Sequence, residues 1–265
     1  MIRSVSPAEA AVLERLELER PSLVTTVGLA AMLDDIGIGT PTRVFAARLR
    51  AKGWLLPTGQ RGVWEFAPAD LAGPYSSGDP LLPLRSFLAA RPNAVCGLTF
   101  QAAAWAHGMA DRVPTRPEVA AADPLTARKL PDSLDVSSFT PVLAYREARD
   151  VPTLPADSVI VHMCHKPAAV RSWANAAEWL PDLAAETSPS DVLTELAARP
   201  RTTTARTGYL LQALRPDVVA AIADTWPTTG RTWFGRRGRP TRHDEHWQVA
   251  DTLLPFDPRA LKAVS

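Results

Sequence analysis

Residues 40–66, TPTRVFAARLRAKGWLLPTGQRGVWEF, constrain this chain more than any other stretch. Thr42 to Ala51 read as a helix and Gly53 as its left-handed stop. Trp54–Leu56 and Val63–Phe66 read as a hairpin closed by Thr58-Gly59-Gln60-Arg61-Gly62. At about 100° per residue, Thr42, Phe45, Ala46 and Leu49 share one face, the natural core side. Arg43, Val44, Ala47 and Ala51 lie opposite, with Arg48 and Arg50 at the two edges. Small residues let a backbone approach a DNA groove closely, and arginines fork onto phosphates or guanine O6/N7. Between Arg43 and Arg61 the basic residues are Arg43, Arg48, Arg50, Lys52 and Arg61, without an acid. A basic helix followed at once by a two-stranded hairpin is how a winged-helix domain presents a helix to the major groove. In the hairpin, Trp64 and Phe66 alternate with Val63 and Glu65, so one pair is expected to face the core.

The residues upstream fit the same domain. Ser6-Pro7-Ala8-Glu9 is a capping box with proline at the first helical position, opening a helix through Val12, Leu13 and Leu16 to Pro21. Val24–Leu33 is expected as a second helix, and Gly37-Ile38-Gly39 as the turn before the third. Residues 1–70 hold eight Lys/Arg and eight Asp/Glu, so any attraction for nucleic acid must come from placement. Ala67–Pro83 is rich in Pro, Gly and Ser and is the expected linker. The predicted organisation is a winged helix over 1–70, a linker over 71–83 and a mixed α/β body over 84–265, an α+β chain overall.

Behind the linker, helices are predicted over Leu84–Ala90 and Phe100–His107, the latter capped by Thr99. Strand-like runs follow at Glu118–Ala122, Ser133–Phe139, Val142–Arg146 and Ser158–His162. Helices return at Ala168–Ala174, Ala176–Ala185, Pro189–Ala198, Ala205–Leu214 and Pro216–Thr225. Thr232–Leu254 reads as a hairpin around a basic loop. The net charge of +1 hides strong segmentation: ten basic against fourteen acidic residues over 71–198, then nine arginines against Asp217 and Asp224 over 199–242. Arg231, Arg236, Arg237, Arg239 and Arg242 are expected in that loop, able to meet DNA phosphates, RNA or an acidic protein surface, or simply solvated.

The composition excludes several classes. At 265 residues and 46% hydrophobic content the chain can build about two real cores. No run approaches the roughly 20 apolar residues of a membrane span, and no signal-peptide core opens the chain, so a cytoplasmic protein is expected. Cys96 and Cys164 are apolar-flanked and read as reduced core residues. His162-Met163-Cys164-His165, with His243 and His246 elsewhere, lacks the paired spacing of a structural zinc site, so no metal is assigned. Gly37-Ile38-Gly39-Thr40 has no lysine to make it a phosphate loop, and no Gly-x-Ser-x-Gly elbow occurs. Asp244-Glu245-His246 reads as a polar turn beside the arginines. Neither a catalytic centre nor a cofactor is predicted.

Four blocks in order carry a resemblance: the winged helix, Ala94–Met109 (AVCGLTFQAAAWAHGM), Arg206–Leu211 (RTGYLL) and Trp247–Asp251 (WQVAD). Together they resemble the AbiEi family of antitoxins and transcriptional autorepressors in AbiE-type toxin–antitoxin, or abortive phage infection, systems. The second block departs slightly, with Gly108-Met109 where the family usually has Gly-Leu, and nothing is carried onto Pro124–Pro155, which matches least. The resemblance implies a double-stranded DNA operator, normally of inverted repeats, bound through Thr40, Thr42, Arg43, Arg48, Arg50, Gln60 and Arg61. It also implies a C-terminal domain that counteracts a nucleotidyltransferase-like toxin. A ligand-sensing winged-helix regulator and, further off, a DNA-modifying enzyme are the competing readings.

Overall fold

The structure is a computed structural model that describes residues 5–70, 76–227 and 230–263. The chain divides into two compact units, Met1–Ala94 with Leu130–Leu134, and Val95–Lys129 with Asp135–Ser265.

In the first unit, α1 (Pro7–Glu19) opens on the predicted capping box: Ser6 Oγ accepts from the Glu9 amide at 3.3 Å and Glu9 Oε2 from the Ser6 amide at 2.7 Å. The second helix, α2 (Thr26–Ile36), starts two residues later than its apolar pattern predicts. Leu23–Thr25 instead form β1, paired antiparallel with Glu65, Trp64 and Val63, and Thr25 then caps the helix. Gly37 ends α2 at φ 78°. The third helix, α3 (Thr42–Ala51), buries Phe45, Ala46 and Leu49, while Thr42 is half-buried. Gly53, at φ 74°, turns the chain so that Trp54 enters the core. The hairpin follows as β2 (Leu55–Pro57) and β3 (Val63–Phe66), giving an antiparallel sheet in the order β1-β3-β2.

The hairpin does not divide into one buried and one solvated face. Val63, Glu65 and Phe66 are buried and Trp64 half-buried. Phe66 and Trp64 meet the helical core of Leu16, Leu29, Leu33, Phe45 and Leu49. A further helix, α4 (Leu82–Ala90), packs on β1 and β3. Glu65 escapes the cost of an unpaired buried charge because Oε1 accepts from the Ser77 amide at 2.6 Å and from Ser76 Oγ at 3.2 Å. The helix predicted at Leu84–Ala90 as the start of the larger body therefore belongs to the first unit, and the units divide at Ala94–Val95. Of the predicted linker, residues 71–75 lie outside the described residues.

The second unit is built on a five-stranded mixed sheet of β4 (Cys96–Leu98), β5 (Glu118–Ala121), β6 (Asp135–Ser138), β7 (Arg146–Ala148) and β8 (Val151–Thr153), in the order β6-β5-β4-β8-β7. Two short helices, α5 (Phe100–Ala106) and α6 (Pro124–Lys129), lie between its early strands. The segment read as a strand at Ser158–His162 is the middle of a helix, α7 (Ala156–His165), buried continuously from Ala156 to Cys164. A helix apolar on all sides belongs at a domain centre. There it is surrounded by α5, α8 (Trp173–Ala185), α9 (Pro189–Ala197) and α10 (Arg201–Leu211), with α11 (Pro216–Thr225) against α9 and α10. Strand structure is absent at Val142–Tyr145, where Glu195 holds the Val142 amide at 3.0 Å. Of the helix predicted at Ala168–Ala174, the first part is only a 3-10 turn, Pro167–Ala169, and Trp173 and Ala174 instead begin α8.

The C-terminal segment also departs from a simple hairpin. β9 (Thr232–Phe234) runs parallel to β11 (Val249–Asp251), and β10 (Arg242–Asp244) pairs antiparallel with β11 from the other side. The basic loop thus joins two edge strands that never pair with each other.

Candidate nucleic-acid interface

In the first unit, α3 and the β2–β3 hairpin enclose a groove of about 830 Å³. Arg43, Ala46, Ala47 and Arg50 line it from the helix, and Gln60, Arg61 and Trp64 from the hairpin. Arg43, Arg50 and Arg61 are exposed, and none has an ion-pair or hydrogen-bond partner among the described residues. Three guanidinium groups that neutralise no local acid leave a net positive field over an open trough. The loop that carries Arg61 is anchored rather than free: the Thr26 amide donates to Gly62 O at 2.8 Å, which ties the loop to the start of α2. Gly62 has φ 76°, and a Cβ there would stand 2.7 Å from Thr26 Oγ1, so only glycine suits the site.

The other predicted DNA-binding residues separate from this groove. Arg48 is exposed but does not line it, and neither do Thr40 and Thr42. Lys52 turns inward: its Nζ pairs with Glu9 Oε2 at 2.6 Å. Burial would raise the Glu9 pKa, but the bonds from Lys52 and Ser6 outweigh it and the pKa is lowered. Gln60 lines the groove, but its Oε1 accepts from Arg91 Nη1 at 2.6 Å. Arg91, just past the end of α4, carries no motif and was not legible as a site residue. Only the tertiary packing of α4 brings it to the hairpin.

The nine arginines of 199–242 divide into structural and exposed groups. Arg199 pairs with the fully buried Glu195 and stacks 4.0 Å over Phe139. Arg215 donates to Ala184 O at 2.8 Å and pairs with Asp217. Arg242 leaves the expected exposed set: Nε and Nη2 bond Asp251 Oδ2 at 3.0 and 2.8 Å, and Nη2 also reaches Leu254 O. Asp251 is fully buried, so removing Arg242 would strand a charge. Arg231 lies over the Trp233 ring at 4.9 Å. Arg236, Arg237 and Arg239 remain exposed on the loop without an ion pair among the described residues.

The two inner sequence blocks do structural work. In Arg206-Thr207-Gly208-Tyr209-Leu210-Leu211, Arg206 Nε donates to Trp233 O at 2.7 Å and Nη1 to Cys164 O at 3.2 Å, tying β9 and α7 to α10. A Cβ on Gly208 would lie 2.3 Å from the Trp247 ring, so that glycine is what admits the indole. Tyr209 Oη donates to Asp251 Oδ2 at 3.1 Å, completing the buried pair with Arg242. In the earlier block, a Cβ on Gly97 would meet Pro152 O at 2.6 Å. Thr99 Oγ1 and Ser137 Oγ stand 2.8 and 3.0 Å from the two nitrogens of His162, whose ring stacks on Phe139. Burial holds the His162 pKa well below the usual range, so the ring is neutral. Among the described residues no three His, Cys, Asp or Glu gather as a metal ion would require, and no helix is long and apolar enough to cross a membrane.

Residues 93–213, which contain both blocks, match the family of the AbiEi antitoxin C-terminal domain. Over those residues the chain carries an AbiEi antitoxin C-terminal domain. The role that goes with the domain is that of an antitoxin. Within the AbiEi domain, Arg206, Gly208 and Tyr209 are thus residues of the scaffold, and Trp247 and Asp251, which they hold, come from beyond the matched span. The crystal structure of the RV2827C protein from Mycobacterium tuberculosis has a similar fold, with a TM-score of 0.77 and 27% sequence identity over 96% of this chain and 94% of that one. No curated protein matches this chain in sequence.

Proposed function

We propose that the chain is a non-enzymatic, DNA-binding antitoxin whose first unit is a winged-helix module with α3 as recognition helix. It represses its own operon by binding double-stranded inverted repeats, and it counteracts a nucleotidyltransferase-like toxin. The observation that carries the DNA reading is the groove between α3 and the hairpin, rimmed by Arg43, Arg50 and Arg61 with no acid to neutralise them. Fixed partners consume Lys52 and Arg242, so the placement of charge, rather than its total, favours this face. Arg236, Arg237 and Arg239 supply a second basic surface for phosphates or for an acidic face of the toxin. The membership of residues 93–213 in the AbiEi domain supports the toxin half of the reading.

The test has two arms. The purified full chain is titrated with duplex DNA from upstream of its own coding sequence, at several salt concentrations. It is also co-expressed with the product of the adjacent gene while growth is followed. Salt-sensitive, sequence-specific binding and rescue of growth are expected. DNA binding no tighter for the upstream duplex than for scrambled DNA would remove the repressor reading, and absence of rescue would remove the toxin assignment.

A further inference from the structure

We propose that Arg91 is a positioning residue that makes Gln60 a donor-only reader of bases. This rests on the DNA-binding reading above. An amide side chain has two faces of opposite character: the carbonyl oxygen accepts and the NH2 group donates. A free glutamine therefore reads adenine with both, accepting from N6 and donating to N7. Gln60 does not have that freedom. Arg91 Nη1 lies 2.6 Å from its side chain, and a guanidinium has only donors, so the atom it meets must be the carbonyl oxygen. Chemistry alone fixes the orientation of this amide. Arg91 is itself held, its guanidinium lying 4.8 Å above the Phe87 ring, and Phe87 is fully buried in α4.

With Oε1 turned to Arg91 and away from the bases, Gln60 offers the groove its Nε2 donors, which have no partner among the described residues. Gln60 lines the same groove as Arg43 and Arg50 of α3, so the base edges it meets are those next to the recognition helix. A donor-only side chain there fits guanine O6 and N7 or thymine O4. It meets the exocyclic amines of adenine and cytosine donor to donor. Specificity for keto bases at one operator position thus originates just past the end of α4, in a residue that need never touch DNA.

Selection from a randomised duplex DNA library, followed by binding to every single-base-pair variant of the selected sequence, tests this for the full chain and four variants. Gln60→Ala should identify the position Gln60 reads, and the wild type should prefer a keto base there by about fivefold, the size of one neutral hydrogen bond. Arg91→Ala should flatten that preference, because the amide is then free to turn over. Arg91→Lys, still a pure donor, should keep it. Arg91→Glu should reverse it towards an amino base, since a carboxylate draws Nε2 and turns Oε1 to the groove. Melting temperatures control for loss of fold, and a reversed preference cannot arise from unfolding. Wild-type binding whose base preferences are the same in Arg91→Ala and Arg91→Glu overturns the role of Arg91. So does a Gln60→Ala variant that weakens all sequences equally. A wild-type chain that binds no duplex removes the DNA-binding reading, and this one with it.

Discussion

Gly208 and Glu118 show how single positions of the second unit carry its stability. The Trp247 indole is buried against Gly208 with no room for a methyl group. Gly208→Ala should therefore cost about 1–3 kcal/mol, the usual penalty of overpacking, even though alanine is the better helix former. A melting temperature equal to the wild type would show that Trp247 can move aside. Glu118 is buried on strand β5, next to the central strand β4, and its Oε2 accepts from the Ala102 amide at 3.0 Å. Burial pushes its pKa up to about 7, against the backbone hydrogen bonds that lower it. A carboxyl with a raised folded pKa binds its proton more tightly when folded. Its contribution is therefore fully present below the unfolded pKa near 4.5 and is lost as pH rises towards 7. The loss is at most about 3 kcal/mol. Glu118→Gln keeps the acceptor and removes the titration, so its melting temperature relative to the wild type should climb between pH 4.5 and 7. A constant difference across that range would contradict the assignment.

At the scale of the element, α3 separates packing from exposed charge along one ten-residue helix. Phe45, Ala46 and Leu49 are buried, whereas Arg43 and Arg50 face the groove. Replacing both arginines with alanine should leave the stability within about 0.5 kcal/mol of the wild type, as exposed substitutions do. For each phosphate the variant no longer neutralises, the slope of log affinity against log salt should fall by about 0.9. Lys52→Ala should behave in the opposite way, leaving that slope alone and destabilising the fold by stranding the buried Glu9. An unchanged slope in the double arginine variant would show that α3 is not the helix that meets DNA. The same helix shows why the sequence was readable here: a 3.6-residue period, a left-handed glycine stop and a hairpin are all local signals. By contrast, Ser158–His162 misled because a short continuous apolar run looks alike in a buried strand and a buried helix.

At the scale of the molecule, the two proposed activities are expected to separate by substitution more cleanly than by truncation. The first unit takes in Leu130–Leu134 as well as everything up to Ala94, so no single cut releases it intact. The full chain with Arg43 and Arg50 both replaced by alanine should lose repression of a reporter operon while still rescuing growth against the toxin, since neither residue lies within 93–213. Arg206→Ala should do the reverse. It unties α7, within the AbiEi domain, and β9, beyond the matched span, from α10 and leaves the α3 groove untouched. A double arginine variant that fails to rescue would mean that the antitoxin role needs DNA binding.

What the sequence determined by itself was local: the capping box at Ser6–Glu9, the stop at Gly53, the face of α3 and the glycine-closed hairpin. Each depends on residues within a turn or two of one another, where backbone geometry and periodicity act without help. Two of the four ordered blocks, Ala94–Met109 and Arg206–Leu211, fall within the span that matches the AbiEi antitoxin C-terminal domain. Tertiary structure decided what depends on distant partners. Pairing with β3 converted Leu23–Thr25 from predicted helix to strand, and packing of α4 on β1 and β3 moved the unit boundary to Ala94–Val95. Burial of Glu9 and Asp251 drew Lys52 and Arg242 out of the basic surfaces to which their sequence neighbours belong. Charge in a sequence is only a count; which charges remain for a partner depends on which acids the fold has buried beside them.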